Sequence, residues 1–472
     1  MPFRIFADMK IHLVAIGGSV MHNLALDLAL TGHQVTGSDD EFYEPSRSRL
    51  KEAGLLPLRT GWFPEKIDHS LDCVITGMHA KGDNPEISRA LELGLRVYSF
   101  PEFFGERCRN KLRIVVAGSH GKTTTTAMIM HALKGAGRDF DYLVGASPEG
   151  FERNVRLSDA PICVIEGDEY PSSPLDPRPK IMHYNPDITI ITGVAWDHMN
   201  VFPTWESYVQ VFRDFISGLC AETRLIWFEE DEVLAKLVKD NGIHLKSIPY
   251  RALEMARGRK KHESTIPDCD PAAMTRVYDG HGKIYAMRIF GSHNLQNMAA
   301  AGLACAEIGI PETEFLSTMQ DFPGASMRLQ LLHQRDGLIV YRDFAHAPSK
   351  VNATVKAVRE RYPETFLVAC LELHSYSSLN TAFIPQYKGT LDKADHALIF
   401  YSPKTLEIKK MPMISPSDIT EAFTHHSLEV VTNKKTLEGR LRFFANVKEN
   451  TVMLLMSSGR FENVDLDIIL KC

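Results

Sequence analysis

Val115-Val116-Ala117-Gly118-Ser119-His120-Gly121-Lys122-Thr123-Thr124-Thr125 joins an apolar strand to a short glycine loop, a lysine and consecutive threonines. The stretch from Thr126 to Leu133 that follows reads as helix. Backbone N–H groups freed by the glycines can wrap phosphates, and the helix N-terminus adds its positive dipole. Lys122 is placed to neutralise the β- and γ-phosphates, and the Thr123 hydroxyl to ligate Mg²⁺. The loop is not a strict Walker A sequence, because Val116 stands five before Gly121 where that pattern has glycine. The plainer reading is a strand-to-helix turn with a surface lysine. The combination predicts use of ATP or GTP.

Working outward, 472 residues suffice for two to four domains with ample core. The chain is 44% hydrophobic and 24% charged, as ordinary globular proteins are. A net charge of -6 with no basic stripe argues against a nucleic-acid partner. Cysteines 73, 108, 163, 220, 269, 305, 370 and 472 are scattered without a Cys-x-x-Cys pair, which fits free thiols in a reducing compartment. No apolar run is long enough to span a membrane, and the N-terminus lacks a signal-peptide pattern. A cytoplasmic protein is expected, with a short extension before Met9.

Strands alternate with helical stretches along most of the chain, the pattern of parallel α/β sheets. A first unit runs from the strand Ile11–Ile16 through Gly17-Gly18-Ser19, a helix from about Val20 to Thr31, and strands at Gln34–Gly37, Cys73–Thr76 and Val97–Ser99. The second carries the glycine loop and strands Ile162–Glu166 and Ile188–Thr192; its polar stretch Arg257–Pro271 reads as an insertion. Asp321-Phe322-Pro323-Gly324 reads as a hinge to a third unit with strands Leu338–Tyr341, Thr365–Cys370, His396–Phe400 and Thr451–Met456. The expectation is three α/β domains, over residues 1–107, 108–322 and 323–472. The first and third would be Rossmann-like and the central one a P-loop-type ATPase.

Four further stretches suggest chemistry. Gly17-Gly18, with Asp39 after the next strand, has the outline of a dinucleotide fold but lacks the third glycine, so the signal for NAD is weak. A tight turn at a helix N-terminus still suits a diphosphate. Two phosphate loops suggest two nucleotides, one consumed and one carried as a handle on the substrate. Glu166 ends a strand where ligands of parallel sheets sit, so it is placed to hold Mg²⁺ beside Thr123. Asp168 and Glu169 read either as ligands or as a solvated turn. Asp197 and His198 would reach the same sheet edge, where His198 could ligate a second divalent ion. His293-Asn294-Leu295-Gln296-Asn297 opens a helix whose amides suit a base edge, or else serve as plain N-caps.

In this order, Gly17-Gly18, Gly118–Thr125, Glu166–Tyr170, Asp197-His198, His293–Asn297, Arg328 and Asp343-Phe344-Ala345-His346 resemble the Mur ligase family. These are the ATP-dependent amide-forming enzymes of peptidoglycan assembly. Tyr43-Glu44-Pro45, Glu166-Gly167-Asp168-Glu169-Tyr170 and Tyr341 to His346 are most similar to the branch that recycles murein peptide, and next to the branch that adds L-alanine. The resemblance implies a first domain that binds UDP-N-acetylmuramate through Gly17, Gly18, Ser19, Asp39 and Asn84. It implies MgATP (or MnATP) on Gly118, Ser119, His120, Gly121, Lys122, Thr123 and Thr124, with Thr123, Glu166 and His198 on the metal. His293, Asn294 and Asn297 would lie near the adenine, and Arg328 and Asp343 would close over the nucleotide. Lys122, Glu166 and His198 would be catalytic. His346 and His374 would serve the peptide, whose amine attacks an acyl phosphate.

Departures fall in the third unit. Arg342 and Ala347 stand where the recycling branch has Asp and His, Met327 where an Arg precedes Arg328, and His374 where it has a substrate-binding Arg. Losing that guanidinium is not a conservative change. The reading is a ligase joining UDP-N-acetylmuramate to L-Ala-γ-D-Glu-meso-diaminopimelate. The alternatives are addition of L-alanine alone, or a nucleotide-sugar sensor without catalysis.

Overall fold

The computed structural model describes residues 8–78, 80–146, 148–196, 199, 201–251, 275–447 and 450–466. Asp197, His198 and the expected insertion Arg257–Pro271 lie outside the described residues. Three mainly parallel sheets follow one another along the chain, giving the expected three-domain α/β architecture. The first has the order Gln34–Ser38, Lys10–Val14, Cys73–Thr76, Arg96–Ser99, all parallel.

The central sheet has seven strands in the order Lys246–Tyr250, Arg224–Phe228, Ile188–Ile191, Leu112–Ala117, Ile162–Glu166, Phe140–Leu143 and Val155–Arg156. Only the last pair is antiparallel. Its inner strands read as unbroken apolar runs because helices cover both faces. Lys122–Gly135 and Ser292–Glu307 pack on one face around Ile114, Val116 and Met298, while Trp205–Ser217 and Glu232–Asn241 pack on the other around Ile191 and Phe212.

The third sheet runs Gln330–Arg335, Leu338–Asp343, Thr451–Met456, Phe366–Glu372, His396–Phe400, Leu428–Val431, with an antiparallel first pair. The edge strand escapes periodicity reasoning because Gln330–Arg335 is mostly polar and half-exposed. The glycine-loop helix begins at Lys122, four residues before the expected start, since Gly121 in a left-handed conformation turns the chain directly into it.

The first and central domains share one core. Phe100, Phe103 and Phe104 of the helix Phe100–Arg107 pack with Ile11 and Leu13 of the first sheet and with Val115, Cys163 and Ile165 of the central one. Asp27, on the helix Ser19–Leu30, ties the same interface: its carboxylate accepts a 2.7 Å bond from the Leu157 N–H and lies 3.7 Å from Arg153. Asp27 is 2% exposed, and burial pushes its carboxyl up to about 6, against the pull of Leu157 and Arg153.

This carboxyl binds its proton more tightly folded than unfolded, so its contribution to stability is complete below about pH 4 and disappears as pH rises through about 6. Replacing it by an uncharged group, Asp27→Asn, should flatten that fall by up to about 3 kcal/mol, read from denaturant midpoints across pH 4 to 7. Equal slopes in the two proteins would count against the account.

Candidate active site

The glycine loop leaves the carboxyl end of Leu112–Ala117 at the middle of the central sheet, where parallel sheets gather ligands. Gly118 has φ +119° and Gly121 φ +74°. A Cβ on Gly118 would stand 2.8 Å from the Thr192 nitrogen, and one on Gly121 would run into the Asn297 amide. The Ser119 N–H bonds the Gly193 carbonyl at 3.0 Å, and its hydroxyl pairs with Tyr208 at 2.7 Å, so the loop is pinned to the next strand end.

Lys122 donates to the Gly118 carbonyl at 2.8 Å and to Glu169 at 2.9 Å, with Asp168 at 4.0 Å. Burial disfavours its ammonium, but Glu169, Asp168 and Glu166 outweigh that and push its pKa up. Thr123 donates 2.7 Å to one oxygen of Glu166, and the Gly145 N–H donates 2.6 Å to the other. Burial and the neighbouring Asp168 push the Glu166 carboxyl up, opposed by Gly145, Lys122 and Thr123. Glu169 is 1% exposed, so the solvated-turn reading fails for it. Asp168 is half-buried and accepts from Lys180 at 3.1 Å.

Ser119, Lys122, Thr123, Glu166 and Asp168 line a cavity of about 380 Å³ with Thr124, His293, Asn294, Asn297, Arg328, Asp343, Phe344 and His346. The third domain thus reaches over the loop. Asp343 accepts from the N–H of Leu329 at 2.7 Å and of Ala345 at 2.6 Å, holding a turn in which Met327 and Leu329 have positive φ. Arg328 projects from that turn, its guanidinium 4.6 Å from the Phe344 ring centre. Burial lowers its pKa, and Asp343 and Glu166 restore part of the loss. His293 is kept neutral chiefly by burial, and its Nδ1 is shielded without a partner. Asn294 donates to the Phe290 carbonyl at 2.9 Å, so its amide nitrogen is committed to the segment that leads into its helix.

A second groove of about 630 Å³ is lined by Gly17, Gly18, Ser19, Asp39, Arg49, Asn154 and Arg460, residues of all three domains. The helix Ser19–Leu30 has no side-chain cap, which leaves its first N–H groups for a ligand. Gly17 donates 2.7 Å to Asp39, and burial pushes the Asp39 carboxyl up to about 6. Asn84 stands elsewhere: it caps the helix Pro85–Glu92 by accepting from Glu86 at 2.9 Å. His346 lines the nucleotide cavity, and His374 lies 3.9 Å from Glu372 at the end of the third sheet.

Residues 116–305 match the Mur ligase middle domain, and residues 10–111 match the Mur ligase family catalytic domain. The chain is 30% identical over 392 residues to the UDP-N-acetylmuramate–L-alanine ligase of Lactiplantibacillus plantarum, covering 82% of this chain and 83% of that one. The chain belongs to the Mur ligase family. It is also 29% identical over 371 residues to the UDP-N-acetylmuramate–L-alanyl-γ-D-glutamyl-meso-2,6-diaminoheptandioate ligase of Escherichia coli, over 78% of this chain and 79% of that one. The fold is shared with the UDP-N-acetylmuramate-alanine ligase of Thermotoga maritima, with a TM-score of 0.71 over 98% of this chain and 99% of that one at 21% identity. As a Mur ligase the protein is an ATP-dependent ligase of peptidoglycan synthesis that forms an amide bond.

Sequence reasoning missed several residues of this Mur ligase site. Ser349 pairs with His120 at 2.8 Å and so links the loop to the third domain, while Arg460 and Asn154 line the second groove. Pro348 opening a helix just after His346 was a signal for the first; Arg460 had none, because its neighbours come from distant stretches.

Gly118→Ala should destabilise the protein by about 3 kcal/mol, through its left-handed backbone and the collision with Thr192. Gly137→Ala, also at positive φ but with nothing within 4 Å, should cost about 1 kcal/mol. Urea titrations of the two variants check the difference, and equal costs would refute it.

Proposed function

We propose that this Mur ligase joins UDP-N-acetylmuramate to L-Ala-γ-D-Glu-meso-diaminopimelate through an acyl phosphate, at the expense of ATP. What carries the reading is a cavity lined by both the central and third domains, together with a groove to which all three domains contribute. A ligase needs this arrangement, because three reactants must meet. The stretch Glu166-Gly167-Asp168-Glu169-Tyr170 favours the peptide branch, since alanine-adding enzymes typically read Glu-Ala-Asp-Glu-Ser-Asp there. The second reading, addition of L-alanine, is favoured by the 30% identity to an enzyme of that name.

In this reading Gly17, Gly18, Ser19 and Asp39 hold the UDP part, and Gly118 to Thr124 hold the ATP phosphates. Thr123 and Glu166 fit a divalent cation, since a hydroxyl and a buried carboxylate meet beside the loop. Such a pair suits Mg²⁺ or Mn²⁺ held largely by phosphate and water oxygens. Bound there, the cation would neutralise phosphate charge; His198 is proposed to assist it. The lactoyl carboxylate attacks the γ-phosphorus and ADP leaves. The peptide amine then attacks the acyl carbon and inorganic phosphate leaves. Lys122 stabilises charge on the transferring phosphoryl group, and Arg328 approaches the nucleotide from the third domain. Closure of the third domain over the cavity would exclude water that otherwise hydrolyses the acyl phosphate.

Phosphate release with MgATP, UDP-N-acetylmuramate and either amine tests the assignment. Release with the tripeptide, with a product of matching mass, is expected, whereas release with L-alanine alone would move the protein to the first step of synthesis. Lys122→Met should lower the rate by about 10³-fold or more per folded molecule, with the folded fraction read from a denaturant titration because the variant leaves Glu169 without its cation. A loss below about tenfold would remove Lys122 from the chemistry.

A further inference from the structure

At the carboxyl ends of the third sheet, away from the nucleotide cavity, stands a second cluster of charge. Glu372 is 3% exposed, and one of its oxygens accepts from both the Ser457 hydroxyl and the Phe461 N–H, the latter at 2.9 Å. The Gly459 backbone packs against it, since a Cβ there would stand 2.8 Å from both Glu372 and the His374 ring. Arg342 is half-buried on the same sheet end, and its Nε is shielded from solvent without a hydrogen-bond partner. Arg460 follows Gly459, is exposed, and lines the groove that holds Gly17, Gly18 and Ser19.

The charges do not balance. Arg342 feels Arg460, of its own sign, against the single carboxylate of Glu372. His374 adds no fixed charge, because burial above all holds it neutral at pH 7 despite Glu372. Two guanidiniums thus face one carboxylate that already accepts two other bonds, and one shielded N–H lacks an acceptor. A carboxylate from outside supplies the missing negative charge. The sequence departures point the same way: the guanidinium missing at 374 is matched by one gained at 342, where the family resemblance expects an acid.

We propose that Arg342 and Arg460 bind a carboxylate of the incoming amine substrate and select a peptide with several carboxylates over L-alanine. In L-alanine a single carbon separates amine from carboxylate, so both must sit at the reacting acyl group. Arg342 is not at that place. Strand alternation turns it to the face opposite Asp343, which lines the nucleotide cavity. An anchor displaced from the reacting end suits a longer substrate whose outer carboxylates lie several bonds from its amine. The inference rests on the peptide reading above.

Steady-state kinetics of R342M, R460M and R342K test it, with each substrate varied in turn. In R342M and R460M the KM for the tripeptide should rise about 10- to 100-fold, with kcat and the KM for ATP within about threefold; in R342M, whose side chain does not line the groove, the KM for UDP-N-acetylmuramate should stay within about threefold as well. R342K should recover part of the loss, since it restores charge without the fork. Arg460 is exposed, so R460M probes the site without disturbing the packed sheet end. A rise in the KM for UDP-N-acetylmuramate alone would overturn the proposal and give the pair to the nucleotide sugar. Unchanged KM values would overturn it as well. A wild-type enzyme that uses L-alanine and not the tripeptide would defeat the peptide reading itself, before any variant is made.

Discussion

Lys122 is a mostly buried ammonium at the wall of the cavity, set among Glu166, Asp168 and Glu169, and the geometry around the glycine loop depends on keeping it there. A buried cation is tolerated only with partners that offset its lost hydration. Here Glu169 and Asp168 lie in the segment following Ile162–Glu166, whose last residue is the third carboxylate, so the strand's register fixes where the charges fall. Glu169 is in turn steadied by Tyr208, which also grips Ser119 of the loop. The acidic surplus has a consequence for ligands. With burial and Asp168 pushing the Glu166 carboxyl up, the cluster gains from any divalent cation that arrives beside Thr123. The phosphate loop and the proposed metal position are therefore one electrostatic unit.

The third domain is coupled to that unit through backbone geometry more than through direct charge. Asp343 has both carboxylate oxygens on backbone N–H groups, so it acts on the nucleotide cavity through the turn it shapes. That turn holds two non-glycine residues at positive φ, a conformation that persists only where the surroundings impose it. Its product is the placement of Arg328. The contact between Ser349 and His120 ties the helix Pro348–Arg361 to the loop from the other side. Movement of the third domain would carry Arg328 and release His120 together, which links closure to the order of the loop.

Much of this could be read from the sequence, for identifiable reasons. Continuous apolar runs such as Ile162–Glu166, His396–Phe400 and Thr451–Met456 announced strands buried on both faces, and all three lie where expected. The residues Gly121, Lys122 and Thr123 stand together because a strand–loop–helix unit places them by local geometry alone, and Glu166 joins them at the end of the neighbouring parallel strand. What escaped was either short and polar or assembled at long range. Gln330–Arg335 lacks a clear period, and the hairpin Pro171–Ser173 with Asp176–Pro179 has too few residues to show one. Asn84 was expected in the groove only from the family resemblance, yet the following Pro85 already marks it as an N-cap. His346 and Arg460 answer to tertiary placement, which no local pattern encodes.

The placement of Arg460 shows how the two ligand regions relate. It belongs to the third sheet's final loop, yet it lines the groove of Gly17 and Gly18 of the first domain, together with Gly145 and Asn154 of the central domain. The groove therefore depends on the position of the third domain, as the nucleotide cavity does through Arg328. A motion that opens one must alter the other. For a ligase this coupling has a chemical use, because an acyl phosphate formed before the amine is seated would be lost to water. A carboxylate bridging Arg342 and Arg460 would oppose the repulsion between them and hold Arg460 over the groove. Arrival of the amine substrate and closure over the activated acyl group would then be the same event.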